Sequence, residues 1–236
     1  MDYGIVRSGS ADIYYERHGE SGESLVLLHG NNESMHRMQP QIDYFSKRYR
    51  VLAIDSRGHG QSGFGKGELN LDTMSVDVEN VLNELGIAKT NVLGFSDGAN
   101  IAMLLAIRRP ELVSGLVLVG GNLKPSGMTA GIFLSVNAAY YLTKLAGKFD
   151  SRLRLEHEFY HLMAKEPNIS PSSLERITAK TLVIAGNKDL IRPSHTHLIA
   201  KNIPDAKELI LEGDHFIIYR TPEVINEAAD KFLSGE

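Results

Sequence analysis

Five residues, Gly94, Phe95, Ser96, Asp97 and Gly98, join a short β-type stretch at Asn91, Val92 and Leu93 to a helix-type stretch from Ala99 to Arg108. A strand and a helix can meet across so short a run only through a sharp turn, and glycine at both ends lets the two elements approach without an intervening Cβ. The residue at the apex, Ser96, must then adopt a strained backbone conformation that lifts its hydroxyl above the sheet edge.

The rest of the chain alternates in the same way. Tyr3 to Arg7 and Ala11 to Glu16 read as a leading hairpin joined by Ser8, Gly9 and Ser10. Leu25 to Leu28, Val51 to Ile54, Asn91 to Leu93, Leu116 to Val119, Leu182 to Ala185 and Glu208 to Leu211 are short apolar runs of the kind found in buried parallel strands. Ser34 to Lys47, Leu71 to Leu85, Ala99 to Arg108, Pro193 to Asn202 and Pro222 to Leu233 read as helices, the second with capping residues at Leu71 to Thr73 and closed by Gly86. Alternation of this type predicts a doubly wound α/β sheet. One stretch departs from it. Between Asn122 and about Ala179 no β-type run occurs, and helical patterns at Gly131 to Leu145, Leu153 to Lys165 and Ser172 to Ile177 are divided by Gly147, Pro167 and Pro171. The expected organisation is a core of residues 1–121 and 180–236 with a helical insertion of residues 122–179.

Acidic and basic groups follow the later strands. Asp189 comes after the run Thr181 to Ala185, through Gly186, Asn187 and Lys188; His215 comes after Glu208 to Leu211, through Gly213 and Asp214. A serine hydroxyl is a poor nucleophile unless a base lies within hydrogen-bond reach, and an imidazole oriented by a carboxylate supplies one. Upstream, His29, Gly30, Asn31 and Asn32 follow Leu25 to Leu28, and Asp55 to Ser62 follows Val51 to Ile54.

With its G-x-S-x-G elbow and the order Ser, Asp, His, the chain resembles the α/β-hydrolase superfamily over nearly its whole length, in the lidded, serine-esterase-like branch. The resemblance implies an α/β-hydrolase fold, a mostly parallel central sheet flanked by helices, with residues 122–179 as a small helical lid after the sixth strand. It implies Ser96 as nucleophile, His215 as base and Asp189, rather than Asp214, as the acid. The oxyanion hole would be the backbone N–H groups of Asn31 and Asp97, and Asn32, Phe95, Phe133, Tyr140, Phe159 and Phe216 would line the substrate pocket. His59 belongs to a structural turn. No cofactor is needed for this chemistry, and the expected partner is a small carboxylic ester. Asn31 and Asn32 stand where lipases carry H-G-G-G, which disfavours bulk near the carbonyl. Ser96 separates the chain from dehalogenases and epoxide hydrolases, which place aspartate there. Phe216 after His215, with no tryptophan anywhere, separates it from carbon–carbon bond hydrolases of the meta-cleavage type.

Two alternatives stay open at this level. Asp97 makes the elbow G-x-S-D-G, similar to amino-acid ester hydrolases of the valacyclovirase type, in which that carboxylate meets an α-ammonium; an acidic residue is also favourable in any first helical turn. A hydrolase-fold protein that binds a ligand with little turnover is the other. The sequence His157, Glu158, Phe159, Tyr160, His161 spells H-E-x-x-H, yet it supplies only two histidine ligands and lacks a third at the spacings zinc enzymes use, so no metal is expected.

Composition narrows the partners. A formal net charge of −4 without a basic stripe argues against nucleic acid, and the absence of cysteine excludes a thiol nucleophile and disulfides. Met1 to Ser10 has no apolar leader, and no apolar run approaches the roughly 20 residues of a membrane span. A cytoplasmic protein without a membrane partner is therefore expected.

Overall fold

In the computed structural model, which describes residues 2–235, Asp2–Ser8 (β1) and Ala11–His18 (β2) form the leading hairpin. Met1 and Glu236, the outermost residues of the expected core, lie outside the described residues. Six further strands follow: Ser24–Leu28 (β3), Arg50–Ile54 (β4), Thr90–Phe95 (β5), Val113–Val119 (β6), Lys180–Lys188 (β7) and Ala206–Asp214 (β8). They make one sheet in the order β1-β2-β4-β3-β5-β6-β7-β8, antiparallel at β1–β2 and β2–β4 and parallel elsewhere. This is the α/β-hydrolase fold. Leu25 to Leu28 and every residue of β5 are buried, as strands covered on both faces must be.

Helices cover both faces. Leu71–Glu84 (α2), Asp97–Arg108 (α3) and Pro193–Asn202 (α6) bury Met74, Val78, Leu105 and Ile199 in one apolar cluster. Gln39–Phe45 (α1) and Pro222–Ser234 (α8) enclose Ile42, Phe45, Ile225 and Ala229 in the other. α2 is capped by Asn70, whose side chain accepts the Thr73 N–H, so the cap lies just before the expected residues.

Two local expectations are corrected, and one element is new. The helix expected over Ser34 to Lys47 is a 3₁₀ turn, Met35–Met38, followed by the short α1. Pro40 lacks an N–H and starts a fresh helix, while the Met35 N–H donates to Asp55 Oδ1 at 2.8 Å. The segment expected as a helix over Ser172 to Ile177 is likewise a 3₁₀ turn, Pro171–Arg176. An unforeseen short helix, Ile217–Arg220 (α7), follows His215.

Between β6 and β7 the chain forms two packed helices, Ala130–Ala146 (α4) and Ser151–Lys165 (α5). They share a small cluster of Met128, Val136, Tyr140, Ala164 and Ile191. Among the described residues no helix is long and apolar enough to cross a membrane.

Candidate active site

The elbow is built as the spacing demands. Ser96 sits between β5 and α3 at φ 53°, ψ −118°, a conformation forbidden to most L-residues, and its N–H donates to Val119 O at 2.8 Å. Gly98 is required by the crossing of α3 over β3, since a Cβ there would lie 2.2 Å from the Leu28 carbonyl oxygen. The residues at the carboxyl ends of β7 and β8 then converge on Ser96. His215 Nδ1 is 2.7 Å from Asp189 Oδ1, and His215 Nε2 is 3.0 Å from Ser96 Oγ. An ionised carboxylate only accepts, so Nδ1 carries the proton and donates it, leaving the Nε2 lone pair to receive the Ser96 O–H. Asp189 Oδ1 is further held by the Ile191 N–H at 2.8 Å. Asp214 instead accepts the Phe216 N–H and pairs with Arg220.

A cavity of about 70 Å³ opens at Ser96 and His215. Its wall is Asp97, Asn122, Met128, Ile132, Met163, Glu166, Leu190 and Ile191, so the segment between β6 and β7 supplies one side of it. None of the six expected pocket residues is in that wall. Phe95 lies beneath, its ring 5.1 Å from those of His215 and Tyr219. Phe216 packs edge-on against His215, Tyr140 stacks on His157, and Phe159 lies 4.8 Å from the His59 ring. Phe133 is partly exposed on α4, and Asn32 makes a turn at φ 55°. Tyr140, Phe159 and Phe95 are buried in helix–helix and helix–body seams, while the apolar part of the cavity wall is Met, Ile and Leu.

Asp97 is 8% exposed, its Oδ1 accepts from Asn100 Nδ2 at 3.2 Å, and its Oδ2, like Asp189 Oδ2, has no hydrogen-bond partner among the described residues. Burial pushes its carboxyl up to about 6, with the Asn100 hydrogen bond opposing. Glu166, a wall residue with no signal in the sequence, is raised by burial too and accepts from Asn70 Nδ2 at 3.0 Å. The Asp97 N–H begins α3 and has no acceptor inside the helix, as first-turn amides do not.

The Asn31 side chain ties the loop after β3 to α5 and to His59. Its Nδ2 donates to the Phe159 carbonyl of α5 at 2.8 Å, and its Oδ1 lies 3.4 Å from His59 Nε2. Glu33, also unforeseen, accepts the Gly30 N–H at 3.2 Å and the Tyr219 O–H, which ties the loop after β3 to α7. His59 is buried against Arg57 O, with its imidazole pushed down to about 4 by burial. The H-E-x-x-H residues turn to separate tasks: Thr143 and Tyr140 for His157, the Leu69 N–H for Glu158, and Glu68 for His161. A larger open trough of about 960 Å³ lies at the opposite, amino ends of the strands, lined among others by Arg17, Lys47 and Lys89. Open α/β sheets bind ligands at the carboxyl ends, where Ser96 is.

Residues 23–151 match the sequence model of the alpha/beta hydrolase fold family, more than half of the chain. The chain belongs to the α/β-hydrolase family. This hydrolase is similar to the protein named carbamate hydrolase RutD of Azorhizobium caulinodans, with 29% identity over 252 residues covering 94% of this chain and 95% of that protein. Its fold is shared with the enol-lactonase of Burkholderia xenovorans LB400, at TM-score 0.81 and 21% identity over 98% of this chain and 100% of that one. It is shared equally with MGS-M2, an α/β-hydrolase enzyme from a deep-sea metagenome library, at TM-score 0.85 and 20% identity over 98% and 97% of the two chains.

Proposed function

We propose that the chain is a serine hydrolase that cleaves a small carboxylic ester through an acyl-enzyme on Ser96. The observation that carries this reading is the unbroken hydrogen-bonded line from the Ser96 hydroxyl through His215 to Asp189, beside a cavity at the carboxyl ends of the strands. In the proposed reaction Ser96 Oγ attacks the ester carbonyl carbon as its proton passes to His215 Nε2. Asp189 holds the resulting imidazolium, and the Asp97 and Asn31 N–H groups receive the oxyanion, each worth about 2.7–4 kcal/mol in the transition state. The imidazolium then protonates the departing alcohol. Water, deprotonated by the same nitrogen, attacks the acyl carbon and returns the serine. A cavity of about 70 Å³ suits an acyl group of a few heavy atoms, with α4 and α5 as its lid.

A second reading, an ester whose acyl part bears an ammonium, is supported by the unpartnered, buried Oδ2 of Asp97 in the cavity wall with Glu166 nearby. A cation would satisfy Asp97 Oδ2, which, unlike the likewise unpartnered Asp189 Oδ2, belongs to a residue of the cavity wall. The likeness to RutD makes carbamates a further substrate class to include in the test.

The test is kcat/KM on p-nitrophenyl acetate and butyrate, on a free and an N-acetylated aminoacyl ester, and on a small aryl carbamate, for the wild type and for Ser96→Ala. Ester turnover lowered about ten-thousandfold or more by Ser96→Ala is the expected result. Full turnover by Ser96→Ala rejects the nucleophile, and turnover confined to the carbamate rejects the ester. Equal kcat/KM for the free and N-acetylated esters rejects the ammonium reading alone.

A further inference from the structure

The outer face of α4 is apolar and largely exposed; among the described residues Lys165 reaches it, with Nζ 5.7 Å from the Tyr141 ring centroid. Leu134, Ala138, Tyr141, Leu142 and Leu145 recur at i, i+4, i+7, i+8 and i+11, one continuous stripe along the helix. The residues that α4 buries, Val136, Tyr140 and Thr143, lie on its other side. Leu134, Tyr141, Leu142 and Leu145 are 61–71% exposed, and Phe149, in the turn to α5, is 88% exposed. An ordinary surface helix carries polar side chains in these positions, and a patch of this kind marks a partner.

Charge identifies the partner. From Leu123 to Glu156 the chain carries Lys124, Lys144, Lys148, Arg152 and Arg154 against Asp150 and Glu156, in a protein whose formal net charge is −4. Lys144, Lys148, Arg152 and Arg154 are exposed, and Lys144 and Lys148 flank the stripe at helical spacing. Asp150 caps α5, accepting the Arg152 N–H at 2.8 Å, and its Oδ1 lies 3.9 Å from Arg152 Nε, a loose pair that leaves Arg152 exposed. A second copy meeting this face through a two-fold axis would bring these cations against their own equivalents. An anionic surface meets them with opposite charge.

We propose that the outer face of α4 and the α4–α5 turn dock on a surface of anionic lipids, with Leu134, Tyr141, Leu142, Leu145 and Phe149 entering the apolar boundary and Lys148, Arg152 and Arg154 at the headgroups. Such a helix lies in the interface and spans nothing, which agrees with the lack of a membrane-crossing helix among the described residues. Ile132, on the same helix, lines the cavity at Ser96, so docking brings the cavity beside the lipid.

The test is co-sedimentation of the full chain with vesicles of phosphatidylcholine alone and of phosphatidylcholine with about one third phosphatidylserine. Binding to the anionic vesicles only, weakening as salt is added, is expected. Lys148→Gln and Arg152→Gln each lower that binding about fivefold, and Leu142→Ser with Leu145→Ser lowers it about tenfold or more, with Tm unchanged because all four side chains are exposed. Binding to neither vesicle, equal binding to both, or indifference to these substitutions overturns the proposal. So does a stable dimer that fails to sediment with vesicles and is broken by Leu142→Ser, which would assign the face to a second copy. Sedimentation needs no turnover, so the result is independent of the ester reading.

Discussion

Ser96 holds φ 53° and ψ −118° although it has a Cβ, and backbone of this kind costs about 1–3 kcal/mol that the surrounding fold supplies. The conformation is open to glycine. Ser96→Gly and Ser96→Ala should both lose ester turnover, while Ser96→Gly should be the more stable of the two by about 1–3 kcal/mol in urea unfolding. Equal stability would mean that the elbow is unstrained. Its neighbour Asp97 carries a different burden. Burial raises its carboxyl to about 6, so the folded protein binds this proton more tightly than the unfolded chain does. No penalty is present below the unfolded value near 4; it grows as the pH rises and is complete above 6, at about 3 kcal/mol. Asp97→Asn keeps an oxygen for Asn100 and cannot ionise. It should therefore stabilise the fold by up to about 3 kcal/mol at pH 8 and hardly at all at pH 4. A gain of the same size at both pH values would show that ionisation of Asp97 is not what the fold resists.

Elements bring the site together by stopping at the right places. β6 ends at Val119, and the next residue, Gly120, takes φ +65° with its N–H donating to Ile184 O at 2.9 Å. A Cβ there would sit 2.9 Å from His215 Cε1 and 3.1 Å from Nδ1, so the end of one strand forms the seat of an imidazole carried by another. Gly120→Ala should push the ring off line and lower kcat about a hundredfold with a smaller change in KM, in keeping with the sensitivity of catalysis to shifts near 1 Å. Gly131→Ala, where a Cβ meets nothing within 4 Å, is the control. Losses no greater than the control's would show that Gly120 does not position His215. Local pattern predicts such elements well and their junctions less well. β3, β5 and α6 are where apolar runs and Pro193 put them, since those signals lie within the element. The break at Pro40 and the short α7 depend on where Asp55 and Glu33 find hydrogen bonds, and those partners are distant in sequence.

On the scale of the whole molecule, the same distinction separates what the sequence discloses about the site. Ser96, Asp189 and His215 each follow a strand, so parallel strands necessarily deliver them to one edge, and the turn glycines announce each position. The cavity wall has no such signal. Met128, Ile132, Met163 and Glu166 face Asp97 because α4 and α5 fold back over the sheet, and nothing near Glu166 in the sequence says what it will meet. The segment from α4 to α5 is unevenly attached. α5 is fastened to the body by Asn31 Nδ2 to Phe159 O at 2.8 Å and by the Leu69 N–H to Glu158 at 3.1 Å, with Asn70 Nδ2 reaching Glu166 at 3.0 Å just beyond its end. α4 buries only Val136, Tyr140 and Thr143, whereas α3 is buried along nearly its whole length. Elements with few buried contacts open below the global unfolding free energy. Amides of α4 and α5 should thus exchange with solvent deuterium through a partial opening, while those of β5 and α3 wait for global unfolding. Asn31→Ala removes one tether to α5, worth about 1 kcal/mol, and should speed exchange over residues 153–165 roughly fivefold without affecting β5. Acceleration of equal size in β5 and α5 would mean that the α4–α5 segment and the sheet open as one unit, and that the cavity at Ser96 cannot be uncovered without unfolding the protein.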